Sequence, residues 1–451
     1  MPNGVVTAQD VGLSLLQSAA NEFAQMKQAA ARPGLTLPNQ HAMVAGAAQL
    51  AAVAGGKDDR VPLLTQLAAG AGHCAALGLE VIRARLSGDP IAIAAAENVE
   101  KFGTCDPNWY KTIIAYGAFI AANGLNAGIA GYKRYANLSD FVLPPIPGNA
   151  RIAIVSDWGT GTPAALDVLR SIAVKNPDVL IHLGDVYYSG TAQECQDNFL
   201  TPITQILQAG RATPVRIVSL SGNHDMYSGG AGYYGMIDKI GQPSSYFALR
   251  TADAAWQFLA MDTGYSDHNP NNVADVRVAL TPQEQTWHLD KIENFSGSTI
   301  LLSHHQLFSS YSSIGPADQP GNKRLPYNPY LLGSLQAFQA SKPVAAWFWG
   351  HEHNLTLYGP YLELSTGRCI GHGAVPATEP DSPYGIQTDL TDVPPALRSP
   401  QMPLVAGLYA HGYAMLQLGG DGGTIRADYY AMNAAETVQF TETIAPVTAT
   451  V

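Results

Sequence analysis

Five short polar clusters in the last two thirds of the chain carry side chains that can bind metal ions. Aspartate, asparagine and histidine supply the oxygen and nitrogen donors that cations such as iron, manganese and zinc take in proteins. Four clusters directly follow an apolar, β-branched run, and the fifth follows an apolar and aromatic run. The clusters are Ser156 to Gly159, Gly184 to Tyr188, Gly222 to Asp225, His304-His305 and Gly350 to His353.

The position of these clusters predicts that they meet in space. Runs such as Ile152 to Val155 and Val179 to Leu183 are typical of buried strands. Side chains placed just past the ends of such strands converge at one edge of a sheet. We therefore expect a single site built from all five clusters.

The types of donor favour a centre of two cations. Asp157 and Asp185 offer hard carboxylate oxygens one βαβ unit apart, and Asp185 can bridge two cations at the ~3.5–4 Å spacing of such centres. His351 and His353 lie two residues apart, so after a strand both can face one side and reach different metals. The other candidate ligands are the amide of Asn223 and the imidazole of His304.

The chain of 451 residues is long enough for two domains. Residues 1–140 are rich in Ala and Gly and broken by Pro or Gly, which predicts an all-helical N-terminal domain of unknown role. Residues 141–149 form a Pro-rich linker, too stiff for a helix. Residues 150–451 then form the catalytic domain that carries the polar clusters.

The pattern in this second region alternates between strands and helices. Strands at 151–157, 178–184 and 214–220 are separated by a helix opening near Pro163 and another around 191–209, an order that implies parallel pairing. Later segments favour antiparallel strands, at 245–249, 256–261, 413–418 and 424–431. We predict an α/β fold, a four-layer α-β-β-α sandwich with two mixed sheets face to face.

Composition narrows the classes of partner. With 46% hydrophobic and 14% charged residues, the chain is a packed globular protein. Its net charge of −11 resides in residues 150–451, because the acidic and basic residues before them balance. An acidic catalytic region argues against a nucleic-acid-binding surface. It also means that cations must attract an anionic substrate, for which we expect a small phosphorylated molecule.

The N-terminal region raises the question of membrane contact. Residues 112–132 carry no formal charge and approach the length of a membrane span, but two asparagines and four glycines favour a buried hairpin. Lipid contact through this region remains the alternative. The N-terminus lacks a basic start and an apolar core, so no signal peptide is expected and the location is cytoplasmic. Four scattered cysteines indicate no disulfide framework, and no pattern indicates an oligomeric state.

Residues 150 to about 435 resemble the calcineurin-like metallophosphoesterases. The pattern of that family is D-x-H, GD-x-x, GNH-[ED], H and GH-x-H, and the chain departs from it only at Gly159, which stands in place of the first histidine. The purple acid phosphatase branch of the family has D-x-G there, followed by GD-x-x-Y. Gly184 to Tyr188 fits that second motif, so the chain is most similar to this branch.

The resemblance implies two metal sites. Tyr188 replaces the missing imidazole, and a phenol that must lose its proton favours Fe(III), which would give a coloured complex. The second site would hold Fe(II), Zn or Mn. The first metal then has Asp157, Asp185, Tyr188 and His353 as ligands, and the second has Asp185, Asn223, His304 and His351.

The resemblance also implies a reaction, the hydrolysis of phosphate esters. A hydroxide held by the metals attacks phosphorus in line, and His224 protonates the leaving group as general acid, its ring held by Asp225. The competing interpretation is that His224 only steers Asn223. A phosphomonoesterase of the acid phosphatase type is the leading prediction. The alternatives are a phosphodiesterase acting on nucleotides or phospholipid head groups and a non-catalytic scaffold.

Three further residues are candidates for substrate contact. His305 either faces the substrate or packs. A long loop from Phe308 to Tyr330 follows it, and long loops in compact domains are often functional. Arg368 and His372 lie in a Gly-rich turn after the last motif, where they could touch phosphate or belong to a solvent-facing loop.

Overall fold

The computed structural model describes residues 110–123, 129, 131–270, 277–314, 325–379, 381–385, 390, 392–397, 400–432 and 436–447. The chain divides into two compact units, one of residues 1–122 with 269–273 and one of the remaining residues. Helix α1 (Tyr110–Asn123) is the main described part of the first unit. The other predicted N-terminal helices lie outside the described residues, so the all-helical domain and the boundaries at 140 and 149 stay predictions. Among the described helices, none combines the length and the apolar content needed to cross a membrane.

The second unit contains the remaining elements. Its helices are α2 (Pro163–Val174), α3 (Ala192–Glu194), α4 (Asn223–Met226), α5 (Ala231–Lys239), α6 (Pro282–Glu293) and α7 (Pro329–Ser341), and α3 continues as π-helical turns over Cys195–Leu200 and Ile203–Leu207. The strands are β1 (Arg151–Val155), β2 (Val179–His182), β3 (Arg216–Ser219), β4 (Phe247–Arg250), β5 (Trp256–Ala260), β6 (Ser298–Leu302), β7 (Val344–Trp349), β8 (Leu355–Tyr358), β9 (Gly367–Ile370), β10 (Leu404–Val405), β11 (Leu408–Tyr409), β12 (His411–Leu418), β13 (Ile425–Met432) and β14 (Glu436–Ile444).

The first six-stranded sheet has the order β14-β13-β12-β1-β2-β3. Strands β1, β2 and β3 are parallel, with Ile154 opposite Ile181 and Ile181 opposite Val218. This is the predicted βαβαβ arrangement. Strands β12 and β13 pair antiparallel, also as predicted, and β14 continues the sheet in the same sense.

The second six-stranded sheet has the order β4-β5-β6-β7-β9-β8. Its four central strands are parallel, whereas β4 and β8 pair antiparallel at the edges. The prediction that the strand at 256–261 pairs antiparallel is therefore correct for its pairing with β4 and wrong for its pairing with β6. The parallel neighbour of β5 is β6, because α6 provides the crossover between them. Both sheets are mixed, as the predicted fold class requires.

Alternating side chains explain the layers. In β1, Ile152 and Ile154 belong to a core that also contains residues of the second sheet such as Phe258 and Ile300, so the two sheets pack face to face. The neighbouring Ala153 and Val155 point to the opposite face and pack with α2. On the far side, α6 and α7 cover the second sheet. The described residues thus form helices, sheet, sheet and helices in succession.

The Pro-rich segment 141–149 packs against the edge of the second sheet. The N–H of Leu143 donates to Ala248 O at 2.8 Å, and the N–H of Ile146 donates to Arg250 O at 2.9 Å. Both side chains are buried in the inter-sheet core. Prolines suit such an edge position because they remove donors that an edge strand does not need.

Candidate metal centre

The five polar clusters meet at the carboxyl ends of the parallel strands of both sheets. Asp157, Asp185 and Asn223 follow β1, β2 and β3, while His304 and His351 follow β6 and β7. Ligand atoms of Asp157, Asp185 and His304 lie within 4.8 Å of one another, as do those of His304, His305 and His351. The clusters therefore converge as predicted, but at the strand ends of two sheets and not at the edge of a single sheet.

The turns after the strands are strained in a way that directs side chains inward. Asp157, Asp185 and His351 have φ values of 55°, 76° and 65°, a region that residues other than glycine rarely adopt. Such conformations persist where the surrounding structure enforces them, and they concentrate at functional sites. Gly184 precedes Asp185 with φ 111°, and a Cβ there would lie 2.8 Å from His304 Nδ1. The close approach of these turns therefore requires glycine.

One group of donors surrounds Asn223. Its Oδ1 lies 3.0 Å from both His304 Nε2 and His351 Nδ1, and these two nitrogens are 3.2 Å apart. His304 Nδ1 lies 3.0 Å from Leu183 O, so Nδ1 carries the proton and Nε2 presents a lone pair. The amide nitrogen of Asn223 donates to Tyr227 at 2.7 Å, which turns its oxygen toward the two imidazoles.

These spacings fit a cation. Ligands at ~2.1 Å from a metal are separated by ~3.0 Å along an octahedral edge and ~3.4 Å along a tetrahedral one. Burial lowers the pKa of both His304 and His351 well below the ordinary value, which keeps the imidazoles neutral. Asn223 Oδ1 and His304 Nε2 are both acceptors, and two facing acceptors repel unless a positive charge lies between them. The spacing of these three atoms therefore fits a bound cation, and His304 has the tautomer that a ligand through Nε2 needs.

A second group of donors surrounds Asp157. His353 Nε2 lies 3.6 Å from Asp157 Oδ1, and the Tyr187 hydroxyl lies 3.2 Å from that oxygen and 3.1 Å from His353 Nε2. The other carboxylate oxygen of Asp157 accepts from the N–H of His351 at 3.0 Å. A carboxylate, an imidazole and a phenol thus form a second small triangle of donors.

Asp185 lies between the two groups. Its Oδ1 is 3.5 Å from His304 Nε2 and accepts from the N–H of His224 at 3.0 Å. Burial raises the pKa of Asp185 well above the ordinary value, and the charges of Asp157 and Asp225 raise it further. For Asp157, burial also raises the pKa, but the hydrogen bond to His353 and the nearby imidazoles lower it overall. Two buried carboxylates this close need a proton or a cation, as a bridging position predicts.

Asp225 contacts backbone amides, whereas the sequence predicted that it holds the His224 ring. The Asp225 carboxylate accepts three backbone N–H groups, those of Asp185 at 2.9 Å, Val186 at 3.1 Å and Gly222 at 2.8 Å. It therefore joins the turns after β2 and β3, because those amides point into the gap between them. The His224 ring is held by the carbonyl of Tyr188, which lies 2.7 Å from Nδ1.

The two tyrosines of the second cluster differ from the expectation. The resemblance predicts a Tyr188 ligand, and the structure brings the hydroxyl of Tyr187 into contact with Asp157 and His353. The backbone of Tyr188 is held on both sides, since its N–H donates to Glu194 at 2.6 Å and its carbonyl faces His224. The motif register pointed to Tyr188 and did not predict the contacts of the Tyr187 hydroxyl.

His305 lies beside the donors and is firmly held. Its ring centroid is 4.5 Å from that of His351. Nδ1 lies 3.1 Å from the Thr263 hydroxyl and Nε2 lies 3.3 Å from Asp267 Oδ2. Thr263 and Asp267 were missed in the sequence, although they follow β5 and so occupy another strand end of the kind that marked the other clusters. A search of every strand end would have found them.

Arg368 and His372 lie in packed surroundings. The Arg368 guanidinium donates twice to Glu442, at 2.7 and 2.6 Å, and once to the carbonyl of Tyr358 at 2.8 Å. His372 is 1% exposed, and its Nε2 lies 3.1 Å from the carbonyl of Tyr430. These contacts join strands to one another and do not point toward the candidate metal ligands. The packing of Arg368 and His372 therefore matches neither of the two expectations, a solvent-facing loop and a contact with phosphate.

The comparisons with known proteins concern the same region. Residues 150–355 match the family model described as calcineurin-like phosphoesterase. None of the curated proteins matches the chain significantly.

Among solved structures, GAP50, titled the anchor in the inner membrane complex of Plasmodium, is similar with a TM-score of 0.43, 13% identity and coverage of 67% of this chain and 90% of that one. PhoD has a TM-score of 0.45, 13% identity and coverage of 68% and 74%. A dimetal phosphatase from Danio rerio has a TM-score of 0.41, 11% identity and coverage of 66% and 99%. On the family match, the chain contains a calcineurin-like phosphoesterase domain.

Proposed function

We propose that this domain hydrolyses phosphate monoesters at a centre of two metal ions, in the manner of the purple acid phosphatase branch. The observation that carries the proposal is the group of Asn223 Oδ1, His304 Nε2 and His351 Nδ1, which lie 3.0 to 3.2 Å from one another and of which the first two are both acceptors. A buried group of lone pairs without a positive charge is electrostatically unfavourable. The family match supports phosphate ester chemistry for the same residues.

The proposed ligands divide into two sets that share Asp185. Asp157, Asp185, His353 and a tyrosine phenol would hold the first cation, proposed as Fe(III). Asp185, Asn223, His304 and His351 would hold the second, proposed as Fe(II), Zn or Mn. When bound, the two cations supply an activated water and offset the negative charge of the phosphoryl group.

His224 is the proposed general acid, and its geometry specifies which nitrogen acts. Nδ1 is engaged with the carbonyl of Tyr188, so Nε2, 3.9 Å from Asp185 Oδ2, is the nitrogen that can exchange a proton with a leaving group. Burial lowers the pKa of His224 to about 3. To act as an acid the ring must carry a proton when substrate is bound, and the negative charge of a substrate phosphate favours the protonated form.

A small phosphorylated molecule is the substrate class that fits this arrangement. The net negative charge of residues 150–451 disfavours an extended basic surface, so attraction of the phosphate would fall to the proposed cations. His305 remains a candidate for substrate contact because its ring packs on His351 beside the donors.

The test compares two chromogenic esters on the full chain after metal loading. We expect hydrolysis of p-nitrophenyl phosphate, with bis(p-nitrophenyl) phosphate turned over more slowly, and we expect chelation to remove the activity. A preference for the bis ester would instead support a phosphodiesterase. Tight binding of two cations with no turnover of either ester, in wild type and His224→Ala alike, would favour a scaffold and overturn the proposal.

A further inference from the structure

Tyr187 presents its hydroxyl to the donors around Asp157. The oxygen lies 3.2 Å from Asp157 Oδ1 and 3.1 Å from His353 Nε2, and those two atoms are 3.6 Å apart. The three edges of this triangle are close to the ~3.0 and ~3.4 Å that octahedral and tetrahedral ligands show around a metal. The phenol oxygen therefore lies where a third ligand would lie.

The backbone explains why Tyr187 takes this position. Its N–H donates to Gly159 O at 2.9 Å, which couples the turn after β2 to the turn after β1. A Cβ at Gly159 would lie only 2.8 Å from Asp185 O and 2.9 Å from Val186 Cα. An imidazole at position 159 is thus sterically excluded while the two turns are in contact. The donor that position 159 lacks is supplied from the neighbouring turn.

The following peptide is fixed by different partners. The Tyr188 N–H donates to Glu194 Oε1 at 2.6 Å, and Glu194 also accepts from the backbone N–H of Ser189 and Thr191. The Tyr188 carbonyl is 2.7 Å from His224 Nδ1. These contacts hold the backbone at Tyr188 against the start of α3 and the general-acid candidate, and they fix the register in which Tyr187 meets the donors.

We propose that Tyr187, rather than Tyr188, supplies the phenol ligand of the first cation. The proposal rests on the proposed function only in requiring a cation at Asp157 and His353. It departs from the GD-x-x-Y register of the resembling branch, in which the tyrosine follows the aspartate by three residues rather than two.

The experiment compares Tyr187→Phe with Tyr188→Phe, two changes that each remove one hydroxyl from adjacent positions. Each purified chain is loaded with iron and oxidised, and its visible absorbance and metal content are measured. The dissociation constant of Mn²⁺ is measured separately on metal-free protein. We expect Tyr187→Phe to lose the visible band and to weaken one of the two Mn²⁺ sites by about tenfold or more. Tyr188→Phe should keep both properties.

The assignment would be overturned if Tyr188→Phe, and not Tyr187→Phe, lost the visible band and weakened a Mn²⁺ site. It would also be overturned if Tyr187→Phe kept the visible band and the wild-type affinity of both Mn²⁺ sites. If Tyr187→Phe does not fold, resonance Raman spectra of iron-loaded Tyr188→Phe decide the matter, since tyrosinate vibrations that persist there exclude Tyr188 as their source. Ester hydrolysis by wild type is assayed in parallel. A wild-type chain that binds cations and shows the phenol signature without hydrolysing esters would refute the proposed function and leave the ligand assignment standing.

Discussion

Two buried polar clusters of the sandwich have opposite chemistry. Around Arg368, every charge has a partner, because its guanidinium meets Glu442 in two hydrogen bonds and Tyr429 donates to the same carboxylate at 2.6 Å. Around Asn223, the acceptor Oδ1 faces a second acceptor, His304 Nε2, at 3.0 Å. The first cluster is complete as it stands, whereas the second is complete only with positive charge added.

This contrast separates structural from functional polar groups. Arg368 lies on the strand that follows the last motif, and from the sequence it was a candidate for phosphate contact, as His305 was. Arg368 on β9 and Glu442 on β14 join the two sheets across the core, a role that needs a satisfied ion pair. A site that binds a cation must instead leave the lone pairs of its ligand atoms without hydrogen-bond donors.

The largest effect is expected for Asp185→Asn. This substitution removes the negative charge that the two groups of ligand atoms share. It should remove metal from both sites and reduce turnover more than about 100-fold. Substituting a residue that only hydrogen-bonds to a metal ligand already lowers metal affinity or activity by ~10–100-fold. Metal content and initial rates on p-nitrophenyl phosphate measure this. The control is Asp167→Asn, an exposed residue paired with Arg170 on α2, which should behave as wild type. Full activity in Asp185→Asn would end the assignment of Asp185 as a bridge.

His224→Ala should lower the rate by about 10²-fold or more on an alkyl phosphate, since general-acid catalysis contributes ~10²–10⁴. On p-nitrophenyl phosphate the loss should be smaller, because that leaving group needs little protonation. Metal content should stay at two ions per chain. Equal losses on both esters together with lost metal would instead support the competing view, in which His224 only steers Asn223.

Arg368→Met tests the other cluster. Removing one partner of a buried ion pair leaves Glu442 uncompensated, and we expect the free energy of unfolding to fall by about 3 kcal/mol. Metal content and the KM for p-nitrophenyl phosphate should not change at a temperature where the variant is folded. An increase in KM without a loss of stability would show that Arg368 contacts phosphate after all.

The Arg368–Glu442 ion pair should also make the free energy of unfolding depend on pH, and this effect should be smaller. Burial raises the pKa of Glu442, but the hydrogen bond and charge of Arg368 outweigh it and lower the pKa overall. A carboxylate with a lowered folded-state pKa stabilises the fold above its unfolded value of about 4.3 and loses that contribution as the pH falls through the folded value. The stability difference between wild type and Glu442→Gln should therefore shrink below about pH 4. A difference that is constant from pH 7 to pH 3 would contradict this.

The sequence predicted the parts of the site that follow from periodicity. Apolar runs located β1, β2 and β3, and the polar residues that end them located Asp157, Asp185 and Asn223. Sequence spacing did not determine which side chain of a turn faces the site. At the turn after β2 the motif pointed to Tyr188, whereas the Tyr187 hydroxyl contacts Asp157 and His353. Nor did it determine that the Asp225 carboxylate would join backbone amides, because three N–H groups meet only after the turns have packed.

The direct test of the central claim is an anomalous-scattering map from crystals of the full chain grown with Mn²⁺. The account predicts two peaks ~3.5–4 Å apart, one between Asn223, His304 and His351 and the other between Asp157, Tyr187 and His353. Ordered side chains with no peak at either position would contradict it.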